Sequence, residues 1–150
     1  MSTISKLCQL NGGCMGCCGH DFISGAKIKE AIRRNTREFE LLNPVSEQEF
    51  LNFMNRKNRS DLLNGVCRNL IEKKGRIFCP LHPSLHGGKD LREGHCDINH
   101  LCKTAQEFAG WDEEKKKKFT DFVHDKKLDN ISYSIKMDDN SLLKEFKSYQ

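Results

Sequence analysis

Eight cysteines in 150 residues, gathered into two groups, constrain this chain more than any other feature. The first group is Cys8, Cys14, Cys17 and Cys18, beside a Gly-rich loop; the second is Cys67, Cys79, Cys96 and Cys102, interleaved with His82, His86, His95 and His100. Thiols this dense serve as disulfide halves, redox groups or metal ligands, and the redox compartment decides among them. Residues 1–10 hold no apolar run of signal-peptide length, and no small-residue cleavage site follows. The chain is therefore read as cytoplasmic, and its cysteines as ligands in a reducing environment. Nowhere does it approach the roughly 18 consecutive apolar residues of a membrane span, so no membrane partner is expected.

Only 37% of the residues are apolar and 31% are charged, which implies a thin core. A bound metal offsets such a shortfall, since structural zinc contributes on the order of 10 kcal/mol to folding. We therefore expect the two cysteine groups to converge on a shared site. The formal charge of +4 would invite a nucleic-acid partner, but two zinc ions on eight thiolates would cancel it almost completely. What remains is local: Lys27, Lys29, Arg33, Arg34 and Arg37 on one predicted helix, Arg56, Lys57 and Arg59 in a loop, and the Lys115 to Lys118 run. No aromatic residues are interleaved with these charges, so they read as solvated faces and argue against nucleic acid.

Ser24 is a predicted N-cap, and Ile28, Ala31, Ile32, Phe39 and Leu42 recur at helical spacing behind it. Asn43-Pro44 stops that helix. Ser46 with Glu49 forms a capping-box pattern ahead of Phe50, Leu51, Phe53 and Met54, which predicts a second helix. From Cys67 to Cys102 the periodicity breaks down; Leu70 to Cys79 reads as a small hairpin turning at Gly75. Beyond Cys102 the pattern is helical again, with Asp112 and Ser141 as predicted caps. The expected fold is mainly α, with an irregular cysteine-rich metal-binding segment and one small β-hairpin. Residues 1–107 form the expected cysteine-cluster domain, and residues 108–150 a helical extension packing on it.

Cys14-x2-Cys17 is the best single ligand signal, because a tight turn over two residues aims two sulfurs at one ion and Gly16 suits that turn. Adjacent side chains of extended backbone point to opposite sides, so Cys17 and Cys18 are not expected to share an ion. His82, in Cys79-Pro80-Leu81-His82, is either a further ligand or a loop histidine satisfied by backbone hydrogen bonds, and His20 presents the same alternatives. His86, His95 and His100 read as exposed or as neighbours of ligands, and His124 as a surface residue.

The series Cys8, Cys14, Cys17-Cys18, followed by four downstream cysteines, resembles the YkgJ-type cysteine-cluster proteins, whose CxxCxxCC signature is associated with zinc or iron chelation. GVCRNLIEKKGRIFCPLHP, the run Gly88 to Arg92, and Cys96-x5-Cys102 resemble that family's second half. The first interval departs from the family, with five residues between Cys8 and Cys14 and Asn11-Gly12-Gly13 as an insertion. The resemblance covers about residues 8 to 102.

It implies a metal-binding protein holding zinc or an iron–sulfur cluster, a 4Fe–4S cluster included, through Cys8, Cys14, Cys17, Cys18, Cys67, Cys79, Cys96 and Cys102; the spacing from Cys79, apart from the resemblance, adds His82 as a candidate ninth ligand. Soft sulfur donors suit both groups. The rival readings are a metal- or cluster-dependent enzyme of methyl transfer or redox chemistry, and an interaction module whose C-terminal helices dock a protein partner. No Gly-rich nucleotide loop follows a predicted strand, which weighs against the enzyme.

Overall fold

The computed structural model describes residues 5–16, 18–19, 22–58, 60–96 and 102–149. Cys17, His20, Arg59 and His100 lie outside the described residues. The chain is mainly α with one small hairpin. After a 3-10 segment at Lys6–Gly12 come α1 (Gly25–Leu42), α2 (Glu47–Asn55), β1 (Ile71–Lys73), β2 (Arg76–Phe78), a 3-10 turn at Pro83–Leu85, α3 (Lys103–Ala109), α4 (Glu113–Asp125), α5 (Asn130–Asp138) and α6 (Ser141–Ser148).

The first helices begin where local chemistry says they should. Ser24 Oγ accepts the Lys27 N–H at 3.2 Å to open α1, and Asn43, in the left-handed region at φ +43°, returns its N–H to Phe39 O to close it. Ser46 and Glu49 exchange both capping-box bonds, at 3.2 and 3.1 Å, and start α2. Asp112 caps α4 by accepting the Lys115 N–H at 2.8 Å. Ser141 does not act as a cap: it is the first residue of α6, and its own N–H donates to Asp139 Oδ1 at 2.8 Å. Leu42, expected on the buried stripe of α1, is half exposed. Full burial along that stripe ends at Asn35, and Phe39, one turn on, is half-buried with its ring against Phe50 and Phe53 of α2.

The hairpin is antiparallel, with Ile71 opposite Phe78 and Lys73 opposite Arg76. Lys74 and Gly75 both take positive φ, the two-residue turn whose twist matches right-twisted strands. α1 lies along β1. Thr36 Oγ1 accepts the Glu72 N–H at 3.0 Å, and the Asn35 amide donates to Cys67 O and Leu70 O at 2.9 and 3.0 Å. Ile28, Ala31 and Ile32 of α1 pack with Met15, Val66, Leu70, Ile77 and Ile131 in one core.

A second core joins the chain's start to its end, where Leu7 is fully buried among Phe108, Phe119, Tyr133, Leu142 and Phe146. Phe119 and Phe146 meet edge to face at 5.0 Å. Tyr133 donates its hydroxyl to Leu7 O at 2.6 Å, which ties α5 to the segment carrying Cys8. A smaller core of Met54, Leu81 and Leu91 lies under the segment after β2, with Cys79 packed against it.

Within the lysine run of α4, Lys117 and Lys118 are solvated, whereas Lys115 and Lys116 are half-buried against the Trp111 and Phe108 rings. Lys116, Lys117 and Lys118 pair with Glu113, Asp121 and Glu114, and Lys115 lies 4.7 Å from the centre of the Trp111 ring. Among the described residues no helix is long and apolar enough to cross a membrane.

Candidate metal centre

The seven described cysteines carry no disulfide. Two glycines bring the N-terminal group onto the hairpin region. Gly13, at φ +104°, lies so close to β2 that a Cβ there would overlap Ile77 O; Gly19, at φ +149°, is pressed equally hard on Gly65 O. Only glycine fits either place. The contact at Gly19 is continued by an antiparallel bridge to Val66 and by the Cys67 N–H, which donates to Cys18 O at 2.7 Å. Residues far apart in sequence are thereby joined at Cys18 and Cys67.

Cys8 and Cys14 are held from the other side. The Cys14 N–H donates to Cys8 O at 2.8 Å, and the next amide, Met15 N–H, donates to the buried Ser134 Oγ of α5 at 2.9 Å. Cys14 and Cys102 both pack against the core built around Leu7 and Phe108. Cys102 is the N-cap of α3, its sulfur accepting the Ala105 N–H at 3.4 Å.

The sulfurs share a local pattern. Cys14 Sγ accepts the N–H of Gly16 two residues on, at 3.4 Å. In the same i to i+2 relation the Asn69 and Leu81 amides lie near enough to Cys67 and Cys79 to lower their thiols, without the close hydrogen bond seen at Cys14. A reverse turn follows each of Cys67 and Cys79, closed by Leu70 N–H to Cys67 O and His82 N–H to Cys79 O. Amides aimed at sulfur favour the thiolate.

Burial opposes ionisation. Desolvation pushes the Cys14 and Cys79 thiols up to about 12, and it also raises Cys8, Cys18 and Cys67, helped at Cys8 and Cys18 by neighbouring cysteines. Two guanidiniums pull the other way. Arg56 lowers Cys67, and Arg92, gripped by Asp90 at 2.9 and 2.7 Å, lowers Cys79.

The histidines separate clearly. His82 Nδ1 lies 2.8 Å from Ser84 Oγ and accepts the Ser84 N–H at 3.1 Å, so that face of the ring caps its own 3-10 turn. His86 Nε2 contacts Pro80 O at 2.7 Å, and its ring stands edge-on to Phe50. His124 is exposed, as its sequence context suggests. His95 is buried, with Nε2 3.0 Å from Asn69 Nδ2 and 3.8 Å from Cys67 Sγ.

Sequence reasoning passed over Asn35, Asn69, Tyr133 and Ser134, which hold the cysteine-bearing backbone, whereas His95, read as exposed or as a neighbour of ligands, is buried beside Cys67. Asn35 alone left a signal, as a polar residue continuing the Ile28, Ala31, Ile32 stripe.

The donor chemistry fits a soft metal: uncharged, desolvated thiols with amides aimed at their sulfurs and cationic side chains nearby. Among the described residues no three His, Cys, Asp or Glu side chains stand grouped as ligands of one ion. The chain matches no family model, no curated protein and no solved structure.

Proposed function

We propose that this chain is a small cytoplasmic metal-binding protein whose cysteines hold zinc or an iron–sulfur cluster. The observation that carries the reading is the pair of hydrogen bonds that the Cys14 and Cys102 sulfurs accept from the Gly16 and Ala105 amides, with the Asn69 and Leu81 amides acting more weakly on the buried thiols of Cys67 and Cys79. A structural disulfide has no use for those amides, whereas a metal thiolate does. Metal binding would require the sulfurs to move closer together than they stand, and would cross-link the N-terminal segment to the hairpin.

Membership of the YkgJ-type cysteine-cluster proteins belongs to the same proposal, resting on the order of the eight cysteines. Bound zinc would supply folding free energy and no redox chemistry; a cluster would supply one-electron chemistry. His82 stays a candidate ligand only through Nε2, since Nδ1 is engaged with Ser84. The apolar face of the C-terminal helices is spent in the core of the chain itself, with Tyr149 the exposed exception, and this weakens the case for a docking tail.

The test is protein purified without oxygen, with zinc, iron and acid-labile sulfide measured against protein and the absorption spectrum recorded. Stoichiometric zinc in colourless protein, or iron and sulfide in brown protein that bleaches in air, supports the reading and settles the metal. Metal-free protein that also fails to take up zinc or to be reconstituted with iron and sulfide would remove it.

A further inference from the structure

The basic residues of α1 do not all face solvent alike. Lys27 pairs with Glu30 along the helix surface, whereas Lys29, Arg33 and Arg37, one turn apart in a row, form one wall of a groove of about 740 Å³. Arg34 is exposed outside it. The hairpin turn at Gly75, the start of α5 and Asn11 make the other walls, and Ile32 and Ile131 belong to the floor.

Hydrogen bonds tie these walls together, so the groove is formed before any ligand arrives. Thr36 Oγ1 accepts the Glu72 N–H at 3.0 Å, which joins α1 to the hairpin. Asn130 Nδ2 donates to Gly75 O at 3.2 Å, which joins the hairpin turn to α5, and Arg76 donates to Gln9 O at 3.0 Å, which joins the hairpin to the segment carrying Asn11.

The charges of the groove are present but unspent. Glu40, Glu72 and Asp129 line it too, yet among the described residues no carboxylate closes on Arg33 or Arg37. Lys29 differs, because after the Ser132 N–H it too helps to hold the Asp129 carboxyl below its usual value. Asn11, in the left-handed region at φ +53°, adds a buried amide nitrogen that has no hydrogen-bond partner among the described residues. A bound oxygen would supply one.

We infer that this groove binds a small hydroxylated phosphate ester, its phosphate held by Arg33 and Arg37 and its hydroxyls by the carboxylates around them. Two guanidiniums about 6 Å apart along the helix axis can close on one phosphate, each offering paired N–H donors. The carboxylates then decide what the rest of the ligand must be. Glu40, Glu72 and Asp129 accept hydrogen bonds and repel further negative charge, so the body of the ligand has to present donors, as hydroxyls do. A nucleic-acid backbone is unsuited, because three cations against three carboxylates leave no net positive field along the groove. None of the residues lining it is a cysteine, so the inference stands apart from the metal-binding reading.

The experiment titrates the full-length protein with glycerol phosphate, inorganic phosphate and glycerol, following backbone amide shifts by NMR at constant ionic strength so that general screening does not change. Glycerol phosphate should saturate, shift the amides of α1 and of residues 72–75 and 129–131, and bind about tenfold more tightly than inorganic phosphate. Arg33→Gln/Arg37→Gln should weaken it by about tenfold or more, while Arg34→Gln should leave it unchanged. All three arginines are exposed, so these substitutions leave the cores intact, and the amide spectra of the free variants check that they do. No saturable shift with glycerol phosphate, or a double variant that binds it as the wild type does, overturns the inference. Inorganic phosphate that binds as tightly as glycerol phosphate overturns the role given to the carboxylates.

Discussion

Replacing Asn35 with alanine tests whether α1 is the clamp that holds the Cys67 turn. The Asn35 side chain is fully buried and donates its two amide hydrogens to Cys67 O at 2.9 Å and Leu70 O at 3.0 Å. Each bond is worth about 1 kcal/mol net, and up to about 3 kcal/mol where a buried acceptor is stranded. Cys67 O keeps the Leu70 N–H at 3.3 Å, so its loss lies at the low end. Asn35 Oδ1 has no partner among the described residues, and removing it returns about 1 kcal/mol.

The balance is a loss of about 1–3 kcal/mol, which at this length lowers Tm by roughly 3–10 °C. Asn35→Asp keeps the shape but turns an oxygen toward two carbonyls, so it should cost more than Asn35→Ala at neutral pH. Thermal and urea unfolding of the purified full-length protein, with Asn52→Ala on the exposed face of α2 as the control, measures all three. Asn35→Ala no more damaging than Asn52→Ala, or Asn35→Asp milder than Asn35→Ala, would refute the clamp.

Gly19→Ala and Gly88→Ala both place alanine at positive φ, but only Gly19 faces a carbonyl within the space a Cβ needs, so Gly19→Ala should lower Tm further and Gly88→Ala should cost about 1 kcal/mol. Tyr133→Phe removes the donor to Leu7 O in a buried setting and should cost about 1–3 kcal/mol in denaturant unfolding, with the tyrosine's ultraviolet titration in the wild type displaced well above the ordinary range by burial. Asp129 caps α5 through the Ser132 N–H at 2.7 Å, which holds its carboxyl below its usual value; the stabilisation is complete above about pH 4 and is lost as pH falls through the lowered value, so Asp129→Asn should flatten the acid limb of Tm against pH. Because the Cys14 and Cys79 thiols are raised to about 12 and so are protonated at neutral pH, zinc uptake should release about one proton per ligand sulfur, read by calorimetry in buffers of different ionisation enthalpy; uptake without proton release would exclude them as ligands.

The parts of this protein legible in its sequence are those whose causes lie within a few residues. Ser24 with Lys27, the Ser46 and Glu49 box, Asp112 with Lys115 and the turn at Gly75 are all local agreements between a side chain and the backbone just beyond it. His82 was half legible: Ser84, two residues on, is the partner that engages Nδ1, and that pairing is as local as a helix cap.

The grouping of the cysteines was beyond reach, because order along the chain says which thiols are neighbours in sequence and nothing of which amides will meet them. Cys18 joins Cys67 because Gly19 tolerates a backbone approach that no side chain permits, and Cys14 turns away because Ser134, 119 residues on from Met15, accepts its neighbour's amide. His95 is buried beside Cys67 for the same reason, its Nε2 lying 3.0 Å from Asn69 Nδ2 across 26 residues of sequence. Composition and spacing determined that this chain would be mainly helical and rich in thiols; long-range contacts, which cost chain entropy and form only when the cores close, decided which cysteine-bearing segments lie together.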